Sequence, residues 1–168
     1  MNLITIGKLV NTHGIRGEVK IISDFELKDQ VFKKGNTLFI NNEQLEIISY
    51  RKHKNFDMVK LKDLEDINLV LKYKGELVKI NRDNLQIDKY IKQDLIGLEV
   101  YDNKLRGKVV EIVKGIAHDL LMIKDGNKKY YVPLNDVYIK EVDLKNKIIH
   151  IIEMEGLFDE NWYINNIS

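Results

Sequence analysis

The sequence predicts a mainly β protein, two small β-barrels in series with one short helix in the first. Apolar and polar residues alternate with period two in short runs along most of the chain, and glycine, asparagine and aspartate punctuate the gaps between runs. A polar stretch near the middle, without clean periodicity, divides the runs into two sets.

In the first set the strand runs are Leu3 to Val10, Val19 to Ile22, Leu38 to Ile40, Leu45 to Arg51, Met58 to Leu61 and Glu76 to Ile80. "KKGNTL" and "INNEQ" supply residues that tolerate positive φ, so they read as reversals between strands. The exception is "DINLVLKYKG", where Ile67, Val70 and Leu71 share a helical stripe and Gly75 stands where a helix stops. In the second set the runs are Gly97 to Tyr101, Arg106 to Val113, Leu120 to Lys124, Lys129 to Pro133, Val137 to Val142 and Ile148 to Ile152. Short strands in a small unit tend to close into a barrel because closure removes exposed edges. The expected organisation is a first barrel over residues 1–82, a linker over 83–93 and a second barrel with its tail over 94–168. Past the last run, Leu157, Phe158, Trp162 and Tyr163 are bulk that would dock rather than dangle, as a helical turn or against a partner.

Composition narrows the chemistry. Of the 168 residues, 44% are hydrophobic and 32% charged, values ordinary for a globular chain long enough to bury a core. Cysteine is absent, which removes disulfides, thiolate metal sites and cysteine nucleophiles. The opening "MNLITIGKLVNTHG" has neither a basic leader nor a long apolar run, so a cytoplasmic location is expected. With 15 basic against 12 acidic residues the first 85 positions carry +3, whereas the remainder, 12 against 14, carries −2. A net charge of +1 gives no strong long-range attraction to nucleic acid, so any RNA partner must be met by local patches or through another protein.

Candidate catalytic groups are sparse. His13, His53, His118 and His150 are isolated from one another in sequence, and none has a second histidine at metal-ligand spacing. Ser23, Ser49 and Ser168 lie in no glycine-flanked nucleophile elbow. "HGIRGEV" has two glycines, but the "EVKIIS" after it alternates as a strand, whereas a phosphate loop needs a helix N-terminus there. The segment therefore reads as a glycine-hinged connection from Asn11 to Gly17 that pushes His13, Ile15 and Arg16 outward, with an apolar Ile15 that suits a binding surface. A second candidate is "YRKHKNF", in which Arg51, Lys52 and Lys54 stand beside Tyr50 and Phe56, the mixture that combines phosphate attraction with base stacking. A solvated hairpin tip is the simpler reading of that run.

Four blocks in order, "GKLVNTHGIRGEVKI", "KYKGELVKINRDNL", "DLIGLEV" and "HDLLMI…KKYYVPLNDVYIKEVDLKNKIIHI…EGL", resemble the RimM family of ribosome maturation factors over nearly the whole chain. The resemblance implies a six-stranded barrel like those of translation factors followed by a PRC-type barrel. It further implies a role without catalysis, cofactor or metal in late assembly of the small (30S) ribosomal subunit. There the family supports head formation and maturation of the 16S ribosomal RNA by binding the head ribosomal protein nineteen, and a monomer is expected. The family's first motif falls on Thr12, His13, Gly14, Ile15, Arg16, Gly17 and Glu18, and its second on Asp94, Leu95, Ile96 and Gly97, with Tyr90 just upstream. Of these, Thr12, His13, Gly14, Ile15, Arg16, Gly17, Tyr90, Asp94, Leu95 and Gly97 are expected to contact the partner. Many relatives have two adjacent tyrosines where this chain has Tyr90 and Ile91. Arg51, Lys52 and Lys54 are the candidate RNA contacts. The acidic end, with Glu153, Glu155, Asp159 and Glu160, is the half complementary to a basic ribosomal protein. The alternatives are an RNA-processing enzyme and a generic SH3-like adaptor.

Overall fold

The computed structural model describes residues 1–153. The expected docking of Leu157, Phe158, Trp162 and Tyr163, like the tail carboxylates from Glu155 onward, falls outside the described residues. The chain divides into two compact units, Met1–Asp88 and a second that begins at Lys89.

The first unit is a closed barrel. Its strands are β1 (Leu3–His13), β2 (Glu18–Ile22), β3 (Thr37–Ile40), β4 (Glu43–His53), β5 (Phe56–Leu61) and β6 (Leu77–Asn81), hydrogen-bonded in the order β1-β2-β5-β4-β3-β6 and back to β1. Closure depends on β1, which pairs with β2 on one side and β6 on the other and coils through register shifts at Leu9/Asn11 and Thr5/Gly7. Leu9, Val19, Ile21, Leu38, Ile40, Ile47, Val59, Leu61 and Val78, all fully buried, fill the interior. Each such side chain contributes about 1.5–3 kcal/mol on leaving water. The turn at Asn41 and Asn42 has positive φ at both residues, the geometry that a two-residue hairpin needs.

Two short helical segments cover this barrel. The helix α1 (Lys28–Val31) is a single turn that buries Val31 next to Phe25 and Phe32. It is pinned by Lys28, whose Nζ lies 2.8 Å from the buried Asp57 carboxylate on β5. The predicted helix is α2 (Ile67–Val70), capped by Asp66 accepting from the Asn68 N–H, and it tightens into a 3-10 turn over Leu71–Tyr73. That tightening changes the buried face. Val70 and Tyr73 are inside while Leu71 is half exposed, because a 3-10 turn aligns residues three apart.

The second unit opens with a 3-10 turn, Lys92–Leu95, followed by β7 (Glu99–Tyr101), β8 (Leu105–Val113), β9 (Leu120–Asp125), β10 (Lys128–Pro133), β11 (Ile139–Asp143) and β12 (Ile148–Ile151). Their order is β10-β9-β8-β7-β12-β11, and β7 and β12 pair in parallel whereas the other ladders of the unit are antiparallel. The end strands still reach one core. Val132 of β10 joins Val100, Val109, Leu121, Ile123 and Ile149, while Ile139 and Val142 of β11 pack against the same cluster. A sheet whose two ends feed one core must curl around it.

Candidate binding surface

Strand β1 does not stop at Val10. Beyond the bulge it continues opposite β2 as Asn11↔Lys20, Thr12↔Val19 and His13↔Glu18, so the connection shrinks to the four residues Gly14, Ile15, Arg16 and Gly17. Both glycines have positive φ, +74 and +79. They differ in surroundings: a Cβ on Gly14 would meet nothing within 4 Å, whereas one on Gly17 would stand 2.2 Å from the Leu64 carbonyl oxygen. The turn is held further by the Ile67 N–H, which donates to the Ile15 carbonyl at 2.9 Å. With its backbone fixed from below, the turn presents Ile15, 78% exposed, between exposed His13 and Arg16, and Thr12 is half-buried beside them.

The face next to this turn is assembled by register. Cross-strand partners share a side of the sheet, so Lys20 on β2, Met58 on β5 and Arg51 on β4 line up, as do His13 with Glu18 and His53 with Phe56. The Arg51 guanidinium donates twice to the Glu18 carboxylate, at 2.7 and 3.0 Å. That bond, ahead of burial, decides the sign: Glu18 is held below the usual carboxylate range and Arg51 is raised. The His13 and His53 rings lie 6.2 Å apart, and the Lys20 Nζ sits 5.1 Å from the centre of the Phe56 ring. Met58 is fully buried under this group.

The three predicted RNA contacts separate. Arg51 is engaged with Glu18, Lys54 stands exposed in the β4–β5 turn with φ +56, and Lys52 is exposed opposite Asp57, on the other side of β4 from Arg51. Tyr50 is no stacking platform. Its hydroxyl donates to Asp57 at 2.7 Å, its ring stacks on Phe32, and burial together with the Asp57 carboxylate pushes its pKa up to about 12.

In the second unit the structure gives folding roles to the other predicted contacts. Asp94 accepts from the Ile91 N–H at 3.0 Å and so caps the 3-10 turn. Leu95 is fully buried, so its side chain packs the core and does not reach a surface. Gly97, at φ +89, donates to the Val109 carbonyl at 2.7 Å, and Tyr90 is half-buried against the core. Lys20, His53, Phe56 and Glu18 were not singled out by sequence as one site. Glu18 and Lys20 stand more than thirty residues before His53 and Phe56, and only the ladder through β5 joins the two pairs. Among the described residues no group of three or more histidines and carboxylates converges as a metal site, and no helix is long and apolar enough to cross a membrane.

Comparison with known proteins gives the chain a family. The model of the RimM N-terminal domain matches residues 4–85, and the model of the RimM PRC barrel domain matches residues 92–157. A ribosome maturation factor RimM of Staphylococcus haemolyticus is 40% identical over 166 residues, covering 93% of this chain and 99% of that protein. One from Streptococcus mutans is also 40% identical, over 172 residues, covering 96% and 100%. Among solved structures, RimM from Pseudomonas aeruginosa, a 16S ribosomal RNA processing protein, aligns at 26% identity with a TM-score of 0.44, covering 91% of this chain and 98% of that one. With both domains matched in order and curated relatives aligned from end to end, the chain belongs to the RimM family of ribosome maturation factors.

Proposed function

We propose that this protein is a non-catalytic assembly factor of the small (30S) ribosomal subunit. It holds the immature head through the head ribosomal protein nineteen and so promotes maturation of the 16S ribosomal RNA. It acts as a cytoplasmic monomer. The observation that carries this reading is the match of both RimM domains in order, backed by relatives named for ribosome maturation. The turn Gly14–Gly17 supports it locally, since a rigid backbone that exposes Ile15 between His13 and Arg16 is preorganised for protein contact. Thr12 flanks that contact and Gly17 holds its turn, whereas Asp94, Leu95 and Gly97 act through the fold of the second unit.

Capture of immature small subunits on the immobilised full chain tests the proposal. The wild type retains subunits that contain protein nineteen. H13A/R16A reduces retention about tenfold, a loss of about 1.4 kcal/mol, with unchanged thermal unfolding. No retention by the wild type overturns the reading. Incubation with precursor RNA, with and without divalent metal, addresses catalysis: cleavage by the purified chain would replace the scaffold with a processing enzyme.

A further inference from the structure

We propose that the imidazoles of His13 and His53, with Lys20 and Lys54, form a phosphate-binding notch on the first barrel that grips RNA backbone and takes up a proton as it does so. This rests on the reading of the chain as a small-subunit factor and adds to it a defined RNA contact.

Geometry comes first. Three strands and a turn bring these four groups together, His13 from the end of β1, Lys20 from β2, His53 from the end of β4 and Lys54 from the turn after it. The two rings stand 6.2 Å apart and tilted by 45°, too far to bond each other and close enough to share one anion's oxygens. The carboxylate in the group, Glu18, is already bound at two points by Arg51, so it neutralises that guanidinium and leaves the histidines and lysines to face an incoming ligand. Lys60, on β5, adds its positive charge near Glu18.

The chemistry of the ligand follows from which groups remain. A carboxylate-bearing peptide is best read by a bidentate guanidinium, and the Arg51 fork is occupied. Phosphate oxygens accept from point donors such as an ammonium or an imidazole N–H, which are what the notch offers. Base stacking is not its mode, because Lys20 lies over the Phe56 ring. The contact is therefore with the backbone and indifferent to sequence.

Proton uptake follows from the surroundings of His53. Burial first, then the positive charges of Arg51, Lys54, His13 and Lys20, hold its imidazole below the ordinary value. A phosphate seated in the notch offsets those charges and favours the imidazolium, so binding and protonation reinforce each other.

The test uses the full chain and a fluorescein-labelled oligouridylate of about 20 nucleotides, followed by anisotropy. If binding raises the His53 pKa by about one unit, affinity is up to about tenfold tighter at about pH 6 than at about pH 8. The variant H13Q/H53Q loses that pH dependence. H53K, charged throughout, binds at about pH 8 as the wild type does at about pH 6, a rescue that a merely structural histidine would not give. Affinity that is flat with pH, or a pH dependence that survives in H13Q/H53Q, overturns the proposal. So does equal binding of a decaglutamate peptide, or a response of the histidine ring signals in NMR to inorganic phosphate with none to RNA. Capture of small subunits distinguishes the two readings: subunits retained without a pH-dependent RNA contact remove the notch alone, and failure to retain them removes the assembly role.

Discussion

Gly17 passes so close under Leu64 that a β-carbon would stand 2.2 Å from the Leu64 carbonyl oxygen and 2.9 Å from the Asp66 nitrogen. Those are backbone atoms, which cannot swing away. Gly14, with a similar φ, has open space around it. Gly14→Ala therefore costs about 1–2 kcal/mol from φ alone. Gly17→Ala adds a backbone clash and costs about 4 kcal/mol, in the range reserved for defined structural lesions. Urea unfolding of the two variants measures the difference, and equal midpoints would show that the turn is not clamped.

Asp57 is a buried carboxylate with two partners, the Lys28 ammonium at 2.8 Å and the Tyr50 hydroxyl at 2.7 Å. Asp57→Ala leaves Tyr50 and Lys28 without their acceptor and removes the tie to α1, at about 3 kcal/mol. Tyr50→Phe removes one hydrogen bond, at about 1 kcal/mol. Hydrogen exchange should show the first variant releasing amides of residues 25–32 while those of β1 and β6 stay slow.

The Glu18–Arg51 pair has a pH signature. The folded-state pKa of Glu18 lies below its reference value of 4.5, chiefly because of the Arg51 hydrogen bond. A depressed acid stabilises above its unfolded pKa and loses that contribution as pH falls through the folded one. Wild-type stability should thus decline from about pH 5 downward more steeply than that of Glu18→Gln. Urea midpoints at several acidic pH values provide the check, and parallel curves would remove Glu18 as a contributor.

Asp94 caps the turn that places Leu95 in the core of the second unit. Asp94→Ala should cost about 1 kcal/mol, the usual loss for a missing cap. The effect should appear as faster amide exchange in β7 and β8 with the first barrel unchanged. Small-subunit capture should then fall in step with this stability. A capture defect in a variant with normal exchange would instead give Asp94 a direct contact.

Period-two alternation finds strands that bury a single face, as in β3, where buried Leu38 and Ile40 alternate with half-buried Thr37 and Phe39. It failed where that face ends. Asn11, Thr12 and His13 continue β1 without a buried residue, so in sequence this polar run resembles loop and the predicted connection exceeds the true turn by three residues, Asn11 to His13. The turn α1 is too short for helical periodicity and owes its place to Lys28 and Asp57, 29 residues apart. The binding surface was half legible. Glycines announced the turn and its exposed side chains, but the meeting of His13 with His53 and of Glu18 with Arg51 depends on strand order, which no local pattern encodes.

The parallel pairing of β7 with β12 sets an order of events during synthesis. Glu99 meets Ile148, so about fifty residues must be made before the first strand of the second unit gains that neighbour. The ladder β7-β8-β9-β10 can form as a local meander from adjacent hairpins while β7 waits with one edge unpaired. A nascent chain paused in the β11–β12 region would hold that edge open to any extended segment nearby, including another copy of itself. The second unit is thus completed by its latest described strand, while the first, closed by Asn81, can be whole long before.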